Sequence, residues 1–241
     1  MSSEKPDLRS VVAQACRVLA HRGAVDTVLG HVSCRAGPDL MLIRCRGPEE
    51  KGLRFTTDRD VRLLHLDGTW AEPNDGYTPP NELPIHGETL RQRADLNAVV
   101  HAHPPSVVAC SVAGLELRPL FGAFNIPATR MAARGIPVYP RSVLIRRTDL
   151  AAEMLRAMGS ARCCVLAGHG VTVGGTSVQE ATVATLDLSA LAAMTLTVAA
   201  TGRDPRAVPP EDMAELPDLG SELHVQSAWR HYVAAAAAEG F

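Results

Sequence analysis

Residues 97–104 read Asn97-Ala98-Val99-Val100-His101-Ala102-His103-Pro104. The run is apolar, short and stopped by a proline, which is the pattern of a buried strand. Side chains alternate along a strand, so His101 and His103 share one face and Ala102 takes the other. Neutral imidazole is the commonest ligand for zinc-like cations, so two rings side by side are half of a metal site. Alone, a His-x-His pair is at least as often a pair of ordinary strand residues. Here it lies among alanine and valine, where an imidazole needs a partner because an unpaired buried polar group is costly.

Two further residues complete the pattern. Glu82 lies upstream, and His169 sits in Ala167-Gly168-His169-Gly170-Val171, where flanking glycines let the backbone turn a ring into a cavity. We expect Glu82, His101, His103 and His169 to converge on one divalent cation. Three imidazoles with an open position suit a catalytic ion, whereas closed structural sites usually draw on cysteine. Glu82 is either a fourth ligand displaced by substrate or an acid/base group tuned by the metal and by burial. The competing reading is a carboxylate that merely favours a helix start. His86, one helical turn from Glu82, is either a support for the site or simply packed.

Outward from this centre, Asn81 is placed to cap a helix over 82–93, with Pro84 tolerated in its first turn. Residues 8–21 form an amphipathic helix closed by Gly23. Short strands are expected at 30–35, 40–44, 55–57 and 61–66, the last turning at Asp67-Gly68. Downstream, 106–113 and 122–135 read as helices, Val138-Tyr139 as a strand, and 149–158 as a helix capped by Thr148. Residues 162–166 and 171–173 make a hairpin. Ser177-Val178-Gln179-Glu180 is a capping box opening the longest helix, which runs to about Ala200 and closes at Gly202. The proline-rich stretch 203–219 reads as an extended segment able to wrap a neighbouring subunit, before a last helix over 221–238. Strands bracketed by helices mean an α/β protein with a mixed sheet covered on both faces.

Composition narrows the class. The 241 residues carry 24 Lys+Arg against 26 Asp+Glu, with no basic stripe, so no nucleic-acid partner is expected. The polar start, Met1 to Asp7, lacks the apolar core of a signal peptide. The apolar run near 188–200 is interrupted by Ser189, Thr195 and Thr197, and no membrane partner is expected. Six cysteines without a framework or a Cys-x-x-Cys read as buried thiols in a reducing, cytoplasmic compartment.

Pro80-Asn81-Glu82-Leu83-Pro84-Ile85-His86, the run from Arg93 to His103, and Gly168-His169-Gly170 resemble the class II aldolase/adducin family. Gly30-His31-Val32-Ser33 matches its early glycine-turn motif. The resemblance spans residues 8 to 202 with the motifs in order. It implies a three-layer α/β/α sandwich with a central mixed, largely antiparallel sheet, and a homotetramer with active sites between subunits. It also implies one divalent metal ion per subunit, held by His101, His103 and His169, with Glu82 at the acidic catalytic and ligating position. Zinc is favoured, and manganese, cobalt or iron would accept the same donors. Residues 1–202 are then the catalytic domain. Residues 203–241 are a C-terminal extension and helix, either part of the same domain or a subunit interface.

Three departures separate the chain from the family's sugar-phosphate aldolases. Gly30-His31 stands where Gly-Asn is typical. Arg44-Cys45-Arg46-Gly47-Pro48-Glu49-Glu50 replaces a phosphate loop, and the tyrosine downstream of the paired histidines has no counterpart in residues 119–124. These features resemble the family's decarboxylase branch. The expected activity is a metal-dependent carbon–carbon lyase that decarboxylates an ortho-hydroxylated aromatic (di)carboxylic acid, where a cation takes up charge as carbon dioxide leaves. Glu82 or His31 would supply the proton. Arg44 and Arg46 would grip a second carboxylate, with Ser33, Asn81 and Tyr232 also facing substrate; ordinary surface arginine and core packing of Tyr232 compete with these roles. An aldolase acting on a non-phosphorylated hydroxy-keto substrate, an Fe(II)-dependent oxygenase and a non-catalytic scaffold are the alternatives.

Overall fold

A computed structural model describes residues 7–219 and 221–241. The polar start at 1–6, where no signal peptide is expected, lies outside the described residues. In chain order the elements are α1 (Leu8–His21), β1 (His31–Arg35), β2 (Leu40–Arg44), β3 (Val61–His65), α2 (Leu83–Gln92), β4 (Ala98–Ala102) and α3 (Pro105–Val112). They continue with α4 (Ile126–Ala133), β5 (Val138–Tyr139), α5 (Thr148–Met158), β6 (Cys163–Leu166), β7 (Gly170–Gly175), α6 (Val178–Ala199), α7 (Pro210–Glu215) and α8 (Ser221–Ala238).

The His-bearing strand β4 is the centre of a seven-stranded sheet ordered β3-β2-β1-β4-β7-β6-β5. Every pairing is antiparallel except β5 with β6, so the sheet is mixed and largely antiparallel as expected. All five residues of β4 are buried, as a central strand covered on both faces must be. On one face Val32, Cys34, Ala98 and Val100 pack with α1 and the start of α6. Val171 and Val173 continue that layer against α3, α4 and the rest of α6. On the other face Met41, Ile43, Val99 and Leu166 pack with α2 and α5. The three layers are those of an α/β/α sandwich.

Strand phase then places the polar residues. Val32 and Val100 face α1, so alternation turns His31, Ser33 and His101 towards α2. In the β1–β4 ladder His31 lies directly opposite His101.

Several local expectations change. Residues 55–57 are not a strand: Leu53–Phe55 is a single 3-10 turn, and the Thr57 amide and hydroxyl both bond to Asp60 Oδ2, starting a second turn where pairing would be needed. Asn81 does not cap α2. Glu82 holds the cap position, and Asn81 Oδ1 instead accepts from Arg46 Nη2 at 3.1 Å. Thr148 is the first residue of α5, with Arg147 before it at the cap.

Half of the capping box forms. Ser177 Oγ accepts from the Glu180 amide, while the Glu180 carboxylate turns to the Thr176 amide and hydroxyl. By length and composition α6 could cross a bilayer, yet it runs through the interior against β7, β4, α1, α3, α4 and α8. The stretch after it is not wholly extended, because Pro210 starts α7 with Glu211 and Asp212 in the first turn. It lies along its own chain: the Phe121 amide bonds Arg206 O, and the Val208 amide bonds Pro119 O.

Candidate metal centre

Glu82, His101, His103 and His169 come together as expected from their chemistry, each offering one ligand atom, with all four atoms within 4.8 Å of one another. His101 is the penultimate residue of β4, and His103 is the first residue past the strand, its amide held by Ala24 O at 3.0 Å. His169 sits in the β6–β7 turn, closed by its own amide bonding Leu166 O. Gly168 adopts φ +67°, a left-handed conformation that costs glycine little. Gly170 is required for space. A Cβ there would fall 2.4 Å from Ala102 O and 2.8 Å from His103 Cδ2. This close approach of β7 to β4 sets His103 and His169 face to edge, ring centroids 4.8 Å apart.

Glu82 enters from the start of α2. Its Oε2 lies 3.2 Å from His101 Nε2 and 3.4 Å from His169 Nε2, while Oε1 accepts the Ile145 amide at 2.8 Å. His103 Nε2 and His101 Nε2 are 2.8 Å apart. Burial would raise the Glu82 pKa, but the adjoining His101 and His169 rings outweigh it and hold the carboxyl well below the usual range. Burial, with the nearby His101 and His169, holds His103 down to about 3. Neutral imidazoles that turn nitrogen lone pairs towards each other and towards a carboxylate need positive charge among them. Both nitrogens of His169 are buried without a hydrogen-bond partner. Three imidazoles and a carboxylate that gather this way, with one ring unpaired, fit a divalent cation of the zinc, manganese, cobalt or iron type.

A second group of side chains backs this cluster. The His31 ring stacks on His101 with centroids 5.0 Å apart. Its Nδ1 lies 2.9 Å from His86 Nε2, and His86 Nδ1 lies 2.7 Å from Ser33 Oγ. Burial, with His101 and His86 alongside, lowers the His31 pKa well below its ordinary value, and burial with His101 holds His86 down to about 3.

The other expected substrate residues divide. Arg46 and Asn81 are bonded to each other, and Asn81 is the residue that precedes Glu82. Arg44 is not brought there. Along β2 Met41 and Ile43 face α2, so Leu42 and Arg44 face α1, where Arg44 is buried and paired with Glu50. Tyr232 is also elsewhere: it packs with Trp229 and Val233 against the α1 cluster, on the far side of the sheet from the histidines of its own chain. Two participants were under-read. His86 carried a visible signal, its helical phase with Glu82. The Ile145 amide had none, because any backbone can supply it.

Comparison with known proteins gives the same grouping. Residues 10–196 match the model of the Class II Aldolase and Adducin N-terminal domain. Over 229 residues the chain is 54% identical to a 3,4-dihydroxyphthalate decarboxylase of Arthrobacter keyseri, covering 94% of this chain and 92% of that one. It is 51% identical over 228 residues to another of that name from Terrabacter sp., covering 94% and 95%. Among solved structures, an aldolase II superfamily protein from Pseudomonas syringae superposes with a TM-score of 0.81 at 21% identity, covering 99% and 96%.

Proposed function

The chain belongs to the class II aldolase and adducin family, and from that premise we propose that it is a metal-dependent carbon–carbon lyase that decarboxylates 3,4-dihydroxyphthalate or a close ortho-hydroxylated aromatic dicarboxylate. The observation that carries this reading is the meeting of Glu82, His101, His103 and His169 in a chain 54% identical, over nearly its whole length, to a protein of that activity. His101, His103 and His169 would hold a divalent cation, with zinc favoured, which would supply Lewis acidity where negative charge develops on the substrate.

The protein's own groups do the rest. Glu82 would offset the charge of that ion, its carboxylate fixed from behind by the Ile145 amide. Arg46 and Asn81 receive the carboxylate that remains. As the carbon–carbon bond breaks, carbon dioxide leaves and its electron pair stays on the ring carbon. A proton delivered at His31 Nε2 completes the C–H bond and is replaced from solvent, giving a dihydroxybenzoate.

We take the assembly to be a homotetramer with sites between subunits. Val112 and Leu144 support a neighbour here, being 72% and 53% exposed. Val112 borders Gly168, and Leu144 precedes the residue that holds Glu82. Six free, buried cysteines among the described residues support a reducing, cytoplasmic setting.

The test is carbon dioxide release from hydroxylated aromatic dicarboxylates under anaerobic conditions, with metal content measured on the same protein. We expect one divalent ion per chain, one carbon dioxide per substrate, and loss of both ion and turnover in His103→Ala. Aldehyde formation, an oxygen requirement, or undiminished turnover in that variant overturns the reading.

A further inference from the structure

Ser33 is fully buried, and among the described residues its hydroxyl has one hydrogen-bond partner, His86 Nδ1 at 2.7 Å. That fixes a direction. If His86 Nδ1 carried the hydrogen and donated to Ser33, the serine's own O–H would be left in the interior without an acceptor, which is costly. Ser33 therefore donates, and His86 Nδ1 is the acceptor. The His86 ring then bears its hydrogen on Nε2, which lies 2.9 Å from His31 Nδ1. Only one of two facing nitrogens can hold the hydrogen between them, so His31 Nδ1 accepts and the His31 hydrogen sits on Nε2.

We propose that Ser33 and His86 are positioning residues that set the tautomer and orientation of His31, so that it meets the substrate as an N–H donor beside His101. The proposal rests on the decarboxylase reading for the use made of that N–H. It does not rest on it for the tautomer. His31 is held from both sides, by the His86 hydrogen bond and by stacking on His101, and its Nε2 takes no hydrogen bond among the described residues. A polar group so fixed and left open at one atom is pre-organised for a bound molecule.

The test is nitrogen NMR of the zinc-loaded protein, assigning the His31 signals by their loss in His31→Gln. We expect His31 to carry hydrogen on Nε2 in the native protein and to become a tautomeric mixture in Ser33→Ala. Zinc content should be unchanged, and kcat should fall about 10–100-fold while KM stays level. In the His31→Gln background Ser33→Ala should cost nothing further. His86→Gln, which returns an N–H near the Nε2 position, should restore activity relative to His86→Leu. Hydrogen on His31 Nδ1 in the native protein, or additive losses in the double variant, overturns the proposal. A correct tautomer in a protein that releases no carbon dioxide would instead count against the decarboxylase reading alone.

Discussion

Glu82 Oε1 accepts a hydrogen bond from the backbone N–H of Ile145 at 2.8 Å, tying the carboxylate that faces three histidines to a segment 63 residues further on. In Glu82→Gln the amide oxygen can still accept from Ile145, so the fold should hold. The charge that offsets a cation is gone. We expect cation affinity to fall at least about tenfold, or about 1.4 kcal/mol, in competition with a chromophoric chelator. Unchanged affinity would remove Glu82 from the ligand set.

Gly170 gives a different outcome, because there the backbone itself is crowded. Gly170→Ala places a methyl against Ala102 O and His103 Cδ2, forcing β4 and β7 apart. We expect a loss of about 1–3 kcal/mol in urea unfolding, together with weaker cation binding as His103 shifts. Native stability with native affinity would mean that the strands tolerate the separation.

The position of Arg44 is tested through its partner. Glu50→Gln leaves a buried guanidinium without its countercharge, on the face of the sheet opposite the histidines. Stability should fall by about 3–5 kcal/mol, with KM and metal content of the folded fraction unchanged. A rise in KM without a stability loss would return Arg44 to the substrate site.

Acid sensitivity should trace in part to Glu72, which joins α1 to the sheet edge through Arg9, Arg62 and the Leu63 amide. Burial would raise its pKa, but those hydrogen bonds and charges win, so the folded value lies below the unfolded value of about 4.3. Its contribution is therefore complete above about pH 4.3 and is lost as pH falls through the folded pKa. Glu72→Gln should cost about 1.5–3 kcal/mol at pH 7, and the gap to the native protein should narrow steadily as pH falls below about 4.3 in urea titrations. A constant gap across that range would exclude the charge as the cause.

Much of this was readable in the chain, for reasons that differ residue by residue. His101 and His103 were legible because period-two alternation and a proline stop fix their face without any tertiary knowledge. His169 was legible because two glycines marked its turn. Arg44 was misjudged because its loop was read by nearness in sequence, whereas the phase of β2 against Met41 and Ile43 decides which side it takes. Asn81 has the chemistry of a cap, and Arg46 outcompetes the helix for its oxygen. Residues 55–57 have strand propensity but meet Asp60, whose carboxylate bends them into a turn. Four prolines made 203–219 look extended, although Pro210 followed by Glu211 and Asp212 is itself a helix start. Only the partners across elements, His86 with His31 and Glu82 with Ile145, needed coordinates.

The seam between β4 and β7 has a kinetic meaning as well. His101 and His103 come from one side of it and His169 from the other, so the histidines cannot assemble until strands some seventy residues apart have zipped together. Such distant pairing is intrinsically slow to form. Uptake of an ion during renaturation would then serve as a clock for that closing step, lagging behind the helical signal from α1 and α5.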